Sequence, residues 1–292
     1  LSISRNTFDW GIEVPSDKTH VIYVWLDALS NYITALGYPD GEAYKKLWLS
    51  KETKIHFIGK DILRFHAIYW PAFLIAERYK KGAINMEKCL EFFKDFKVVS
   101  HGWWKNEGQK MSKSLGNAIN PYDLVSKFGL DKVRYFFLKA MPFGLDGDFT
   151  ESHFIEITNS DLANNIGNLT QRVCSFVQSK CGGIIPEGNQ IYFTERNFEE
   201  EFNKHIENFE FNKAMEVVME CGNLCNEFVD RSAPWRLLKE GSVEQMNDVL
   251  LTLCMMIYRI FTMLECVMPD SSNKALAIFG GKFPESGMKI NT

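Results

Sequence analysis

Residues 55–79 read IHFIGKDILRFHAIYWPAFLIAERY, and this stretch decides the fold class. Its first four residues are β-branched, aromatic or apolar, which predicts a short buried strand that ends at Gly59. Apolar residues then recur at helical spacing from Ile62 to Tyr79, with a kink expected at Pro71 because proline lacks a backbone N–H. The stretch therefore indicates a strand followed by a helix, which is the repeating unit of α/β folds.

Two more strands are predicted in the first half of the chain, one on each side of that unit. They are 21–26 (VIYVWL), followed by a helix from Ala28 to about Leu36, and 96–100 (FKVVS). Strands that alternate with helices predict a parallel, doubly wound, Rossmann-like sheet, whose ligands bind beyond the carboxyl ends of the strands. Asp27, residues 59–61 and a lysine-rich segment after residue 108 all follow such ends.

The pattern changes to helices alone near residue 145. Asn120 followed by Pro121 is a helix start, and two short helices are expected at 121–128 and 131–140. Three longer helices are predicted after them, at 151–181, 212–231 and 243–268. The predicted class is therefore α/β followed by all-α, with segments at 1–109, 110–149 and 150–292.

Composition narrows the functional classes. The chain has 292 residues, which favours two domains, and its net charge of −4 argues against a protein that coats nucleic acid nonspecifically. It leaves room for a local site that recognises a folded RNA. No apolar run has the length of a membrane span, so no membrane partner is expected. The seven cysteines lack disulfide or zinc spacing, which favours a reducing compartment; Cys221 and Cys225, one turn apart, are interpreted as packing residues rather than metal ligands.

Residues 110–114 read KMSKS and form the strongest chemical signal. Two lysines three residues apart lie between Gly108 and Gly116, which predicts a mobile cationic loop. The ammonium groups of Lys110 and Lys113 suit the phosphates of a nucleotide, where they stabilise negative charge on a leaving pyrophosphate. The alternative interpretation is an ordinary solvated loop, since lysine and serine are common on surfaces.

Several longer motifs carry a resemblance to a known family. Besides KMSKS they are HFIGKD at 56–61 with RFH at 64–66 and YWPA at 69–72, YVWLDA at 23–28 with Tyr32, and APW at 233–235. In this order they resemble class I aminoacyl-tRNA synthetases, and specifically the methionyl-tRNA synthetases. The resemblance implies the second half of a Rossmann-like catalytic domain followed by an α-helical anticodon-binding bundle. It also implies activation of methionine by ATP and transfer to tRNA(Met).

The resemblance assigns six residues to methionine: Arg5, Trp25, Ala28, Tyr32, Phe65 and His66. The chemistry agrees, because aromatic walls favour a polarizable thioether and a tyrosine hydroxyl or imidazole N–H can donate weakly to sulfur. Arg5 is expected to pair with the substrate carboxylate or with an acidic neighbour. The alternatives are core aromatics at 25 and 65 and a surface arginine at 5.

The ATP-binding residues implied by the resemblance are Gly59, Asp61, Lys110, Ser112 and Lys113. Gly59 permits close approach of the ribose, and the Asp61 carboxylate accepts from two hydroxyls, although Asp61 also suits a helix N-cap. Lys113 is expected to be the main catalytic residue, with Lys110 assisting. ATP enters as its Mg²⁺ complex, and no metal bound by this chain itself is expected.

Four residues are assigned to the anticodon: Asn168, Arg172, Asn226 and Trp235. Unpaired bases are recognised by stacking and polar edge contacts, which an indole, a guanidinium and two amides supply. A solvated helix face is the alternative for Asn168 and Arg172.

The sequence departs from the family at one important point, because it contains no His-x-Gly-His motif. Leu29 also stands where some members have proline. The expected partner is therefore a missing N-terminal half of the same enzyme, in the cytoplasm or an organelle. Two alternatives stay open: a non-catalytic tRNA-binding fragment, and a synthetase for leucine, isoleucine or valine.

Overall fold

The computed structural model describes residues 3–80, 86–112 and 116–291. The chain divides into two compact units, Leu1–Gly102 and Trp103–Thr292. The three-part division expected from the sequence stays a prediction.

The first unit contains two sheets. Strands β1 (Ser4–Arg5), β2 (Glu13–Val14) and β3 (Asp17–Ile22) form an antiparallel sheet in the order β1-β3-β2. Strands β4 (Lys54–Gly59) and β5 (Phe96–His101) form a parallel pair, in register from Lys54 opposite Phe96 to Gly59 opposite His101. The strands predicted at 55–58 and 96–100 are confirmed, together with their parallel pairing.

The strand predicted at 21–26 is wrong in its second half. Strand β3 ends at Ile22 and is antiparallel to its neighbours, and helix α1 (Val24–Thr34) begins two residues later. Trp25, Leu29 and Ile33 are four residues apart and pack into one cluster, which a helix face permits and a strand does not. Helical packing thus overrides the strand propensity of the apolar run.

Helical segments cover the parallel pair. A 3₁₀ turn at Lys60–Ile62 and a π-helical turn at Phe65–Tyr69 lead into α2 (Trp70–Lys80). The wide turn precedes Pro71, which cannot donate to the preceding turn, so the irregularity predicted there takes the form of a π turn. A π turn at Tyr44–Trp48 and helix α3 (Met86–Phe92), followed by a 3₁₀ turn at Phe93–Asp95, complete the unit.

A small sheet opens the second unit. Strands β6 (Trp104–Asn106), β7 (Gln109–Lys110) and β8 (Gly147–Phe149) lie in the order β7-β6-β8. Glu107 and Gly108 join β6 to β7 with φ angles of 52° and 75°, so both residues of this tight hairpin turn are left-handed. Helices α4 (Pro121–Phe128) and α5 (Leu130–Lys139) lie between β7 and β8, close to their predicted bounds.

Helices form the rest of the described chain. Helix α6 (Glu151–Ile157), a π-helical segment (Thr158–Gly167) and α7 (Asn168–Lys180) follow one another without a break, where one helix is predicted. The other two predicted helices are α9 (Phe211–Ser232) and α11 (Val243–Leu264). The pattern missed three shorter helices: α8 (Phe198–Glu207), α10 (Pro234–Lys239) and α12 (Pro269–Ile278).

Helix α11 is the core helix of the second unit. It is the one helix within the described ranges that is long and apolar enough to cross a membrane, but 67% of its most apolar window is buried in the protein. Leu250, Leu253 and Cys254 are fully buried and contact the neighbouring helices. Packing inside the bundle accounts for its apolar composition.

Candidate functional site

An aromatic pocket in the first unit is built by helix α1 and the π turn before α2. Trp25, Ala28 and Tyr32 are spaced three and four residues apart, so they share one face of α1. The Trp25 and Phe65 rings stack with their centroids 4.0 Å apart and their planes at 15°. Both rings are half-buried, so they form a wall that is open on one side.

A hydrogen-bond chain fixes the polar end of this pocket. The Tyr32 hydroxyl lies 2.9 Å from Nε2 of His66, and Nδ1 of His66 lies 3.0 Å from the Ile62 carbonyl oxygen. A carbonyl only accepts, so Nδ1 carries the proton and Nε2 accepts from the tyrosine hydroxyl. The tyrosine O–H and imidazole N–H that were expected to face a sulfur atom are therefore both engaged with protein groups in this arrangement.

His56 lies beneath the pocket and was not singled out from the sequence. It is on β4, buried, and its ring meets the Tyr32 ring edge-on with centroids 4.3 Å apart. Burial, aided by the neighbouring His66, lowers the pKa of His56 to about 4. The floor of the pocket is therefore uncharged at neutral pH. Strand alternation was the available signal, because His56 and Ile58 both face inward on β4.

Arg5 lies apart from the aromatic wall, in a cavity of about 610 Å³ shared with Asp9, Trp10 and Asp27. Its guanidinium carbon is 3.9 Å from the centroid of the Tyr23 ring. This cation–π contact holds the guanidinium at the cavity wall. The sequence predicts that Arg5 pairs with the substrate carboxylate or with an acidic neighbour. Among the described residues, its contact is with the aromatic face of Tyr23.

Gly59 and Asp61 form the turn after β4. A Cβ atom at position 59 would lie 2.6 Å from Oδ1 of Asp61, so glycine is required for the carboxylate to take this place. Gly59 occupies the N-cap position of the 3₁₀ turn, and no side-chain hydrogen bond caps that turn. The exposed Asp61 carboxylate at the end of a parallel strand suits a ligand hydroxyl.

The lysine segment belongs to the second unit and follows the β6–β7 hairpin. Lys110 ends β7 with an exposed side chain, and Ser112 is half-buried. The Ser112 N–H donates to Oδ1 of Asn117 over 2.9 Å. The predicted main catalytic residue, Lys113, lies outside the described residues, as does Ser114.

Arg172 and Trp235 come together in the helical part of the second unit. The Arg172 guanidinium lies 5.7 Å from the Trp235 ring centroid, and its Nη2 is 2.6 Å from Oδ1 of Asp230. A cavity of about 190 Å³ lies beside them, with Phe176 and Pro234 in its wall. The Trp235 side chain is 42% exposed, so part of the indole is open to a stacking partner. Asn168 is exposed one turn before Arg172 on the same helix.

Asn226 is placed differently from the other three anticodon candidates. Its Nδ2 donates to Oδ1 of Asn165 and to the Gly222 carbonyl oxygen, each at 3.0 Å. A Cβ at position 222 would come within 2.6 Å of the same Asn165 oxygen, so glycine permits this close helix contact. The Asn226 amide thus meets the buried Asn165 rather than Arg172 or Trp235. No sequence signal distinguishes this residue, because amides on a helix look alike.

Within the described ranges, no three His, Cys, Asp or Glu side chains are arranged to hold a metal ion. Cys221 and Cys225 are both fully buried, as their interpretation as packing residues requires. The hydrogen bond that Cys225 makes with Cys221, together with burial, raises the pKa of Cys225 well above its usual range.

Comparisons with known proteins bear on both units. The family model "tRNA synthetases class I (M)" matches residues 1–174. The chain is 44% identical over 291 residues to a methionine–tRNA ligase of Rickettsia felis, covering 96% of this chain and 54% of the relative. It is 38% identical over 292 residues to that of Mycobacterium leprae, covering 96% and 51%.

A solved structure is also similar. It is the Mycobacterium tuberculosis methionyl-tRNA synthetase in complex with methionyl-adenylate, with a TM-score of 0.83 and 33% identity. The alignment covers all of this chain and 59% of that one. The chain therefore spans about half the length of the curated relatives.

Proposed function

From the premise that this chain belongs to the class I (M) tRNA synthetases, with their largely helical class I fold, we propose that the protein carrying it is a methionine–tRNA ligase. In the first step the carboxylate of methionine attacks the α-phosphorus of ATP, and pyrophosphate leaves with the electron pair. In the second step a hydroxyl at the 3′ end of tRNA(Met) attacks the methionyl carbonyl, and AMP leaves. The relatives that carry this name support the reaction class.

The aromatic pocket is the observation that carries the choice of amino acid. Stacked Trp25 and Phe65 present π surface to a thioether, and such sulfur–aromatic contacts contribute about 0.3–1.5 kcal/mol each. The Tyr32 proton is held by His66, and the buried, neutral His56 lies beneath the ring, so this end of the pocket offers no charged partner to a charged side chain. Ala28 leaves room on the same helix face.

Arg5, Gly59 and Asp61 receive the polar parts of the substrates in this proposal. Arg5 pairs with the methionine carboxylate, since cation–π contact with Tyr23 leaves the guanidinium edge available. Asp61 accepts from the ribose hydroxyls of ATP, and Gly59 lets the sugar approach the backbone. The finer fold assignment, a doubly wound nucleotide-binding sheet, rests on the parallel β4–β5 pair.

Lys110, Ser112 and Lys113 bind the phosphates. ATP enters as its Mg²⁺ complex, and the ammonium groups stabilise the charge that develops on pyrophosphate. The sequence has no His-x-Gly-His motif, so we assign the part of the active site that this motif forms to further sequence of the same protein. This assignment is consistent with the 54% coverage of the Rickettsia felis relative. The cytoplasm is the compartment that we propose for the reaction.

The helical bundle of the second unit reads the anticodon of tRNA(Met). Trp235 stacks on an unpaired base, and Arg172 and Asn168 contact base edges or phosphates. Asn226 belongs to the predicted anticodon set by its position one turn before Asp230, although its contacts with Asn165 favour a supporting role.

Amino-acid-dependent ATP–pyrophosphate exchange tests the proposal in the full natural protein that carries this chain. We expect exchange with methionine and far less with leucine, isoleucine or valine. Lys113→Ala should abolish exchange while methionine binding, measured by equilibrium dialysis, stays near normal. Preference for a branched-chain amino acid would overturn the substrate, and binding of tRNA without any exchange would identify a non-catalytic tRNA-binding module.

A further inference from the structure

We propose that Asn117 is a positioning residue whose side-chain amide holds the backbone of Lys110 and Ser112 where these residues meet the phosphates of ATP. The inference rests on the proposed function and adds to it a residue that touches neither substrate. Asn117 follows Leu115 and Gly116, directly after the lysine-rich segment.

The Asn117 side chain makes two opposite hydrogen bonds. Its Oδ1 accepts from the Ser112 N–H over 2.9 Å, and its Nδ2 donates to the Lys110 carbonyl oxygen over 3.1 Å. A primary amide offers a donor and an acceptor in one plane, as a peptide group does, so Asn117 continues the backbone pairing of β7 where the strand ends. A carboxylate in the same place would accept but could not donate.

Asn117 is itself fixed to the small sheet of the second unit. Its carbonyl oxygen accepts from Nδ2 of Asn106 over 3.0 Å, and Asn106 pairs with Gln109 across the β6–β7 hairpin. Asp148 on β8 holds the turn of that hairpin, because its Oδ1 accepts from the Gly108 N–H over 2.8 Å. The amide of Asn117 therefore ties Lys110 and Ser112 to a frame of three strands.

The arrangement suits electrostatic catalysis. The Lys110 side chain is exposed and can reach a ligand, while its backbone is held by β7 and Asn117. A cation contributes most to a transition state when its position is set before the reaction, because no reorganisation is then required. Without the Asn117 amide, Lys110 keeps its ammonium group but its backbone position is less well fixed. Small misplacements of a catalytic group lower turnover by up to about 100-fold.

The test compares Asn117→Ala and Asn117→Asp with wild type in methionine-dependent pyrophosphate exchange, using the full natural protein. We expect kcat to fall about 10- to 100-fold in Asn117→Ala. The KM for methionine, the affinity for tRNA and the thermal midpoint should stay at wild-type values. Asn117→Asp keeps the acceptor for Ser112 but loses the donor to Lys110, so its kcat should fall as well.

Asn120→Asp is the matched control. It makes the same chemical change three residues away, at a side chain whose Oδ1 accepts from the Tyr122 N–H at the start of α4. Aspartate caps a helix as well as asparagine, so we expect wild-type exchange from this variant.

Three outcomes would count against the inference. A wild-type kcat in Asn117→Ala overturns the inference but leaves the proposed function intact. A fall in kcat that comes with an equal loss of tRNA binding and of thermal midpoint has the same consequence, since it shows a merely structural role. A wild-type protein without methionine-dependent exchange overturns the proposed function, and the inference with it.

Discussion

The Tyr32 hydroxyl donates to Nε2 of His66 over 2.9 Å, and this bond joins helix α1 to the π turn that carries Phe65. His66 is almost fully buried and is held from behind by the Ile62 carbonyl oxygen. The imidazole is therefore fixed first, and Tyr32 is aligned against it. The Ile62 carbonyl oxygen, one helical turn before His66, therefore sets the position of the Tyr32 ring beside the aromatic wall.

Tyr32→Phe should weaken methionine binding without removing the pocket. The ring stays, but Nε2 of His66 loses its donor and the ring is no longer aligned beside the aromatic wall. If the misalignment removes about 1 kcal/mol of methionine binding, the KM for methionine rises about fivefold. Tyr38→Phe is the matched control, because its hydroxyl also makes a hydrogen bond in the first unit, to Glu77 at 2.6 Å. Equal effects of the two substitutions on KM would contradict a specific role for the Tyr32–His66 bond.

His56 should make the first unit less stable in mild acid. Its pKa is lowered to about 4 by burial and by His66, against an ordinary value near 6.5, so the folded protein keeps it neutral. The unfolded chain takes up the proton as pH falls below about 6.5, and the stabilisation present above that pH is lost progressively toward pH 4. The expected loss between pH 7 and pH 5 is about 2 kcal/mol.

His56→Phe should remove this pH dependence, because the variant keeps an aromatic ring against Tyr32 and Phe96 but does not titrate. Urea unfolding at pH 7 and pH 5, monitored by pulsed hydrogen exchange of the β4 and β5 peptides, measures the free energy of unfolding of both proteins. Carboxylates titrate in both proteins, so only the difference between them is informative. Identical pH dependence in the two would show that His56 does not carry the effect.

Local sequence signals predicted the elements that depend on local chemistry. The helix start at Asn120 and Pro121 appears as predicted, since the Asn120 side chain caps α4. Strands β4 and β5 also appear, because each is a short apolar run bounded by turn or polar residues. The aromatic pocket follows from the family resemblance, and the structure brings Trp25, Tyr32, Phe65 and His66 together.

What the sequence missed depends on packing that overrides local propensity or on contacts between distant residues. The residues from Val24 to Leu26 have high strand propensity, yet they begin α1, because packing of Trp25 with Leu29 favours a helix. Asn226 looks like a surface amide but meets Asn165, which lies 61 positions away. The Asn226–Asn165 contact leaves no periodic trace in the chain.

Asn226→Ala should lower the stability of the second unit. The substitution leaves Oδ1 of the buried Asn165 without the donor that lies 3.0 Å away, at a cost of about 1–2 kcal/mol. Asn226→Asp should cost more, because it places a carboxylate oxygen against Asn165 and the Gly222 carbonyl. Asn168→Ala is the control, since an exposed helix residue of this kind changes stability by less than about 0.5 kcal/mol.

Urea unfolding and binding of the anticodon stem-loop, measured on the same Asn226 variants, separate two roles. A supporting residue changes unfolding first and binding in proportion to it. Weaker binding at unchanged stability would instead make Asn226 a direct reader of the anticodon.

Trp235→Ala should separate the two steps of the reaction. The exposed part of the indole is available for a base, and stacking of this kind contributes about 1–3 kcal/mol per base. We therefore expect kcat/KM for aminoacylation to fall about 5- to 150-fold, while methionine-dependent pyrophosphate exchange, which needs no tRNA, stays unchanged. Trp235→Phe should recover most of the loss, because it keeps an aromatic face beside Arg172. Tyr192→Ala, at another exposed aromatic of the same unit, is the control. Equal losses in aminoacylation and exchange would show that Trp235 supports the fold instead of contacting the tRNA.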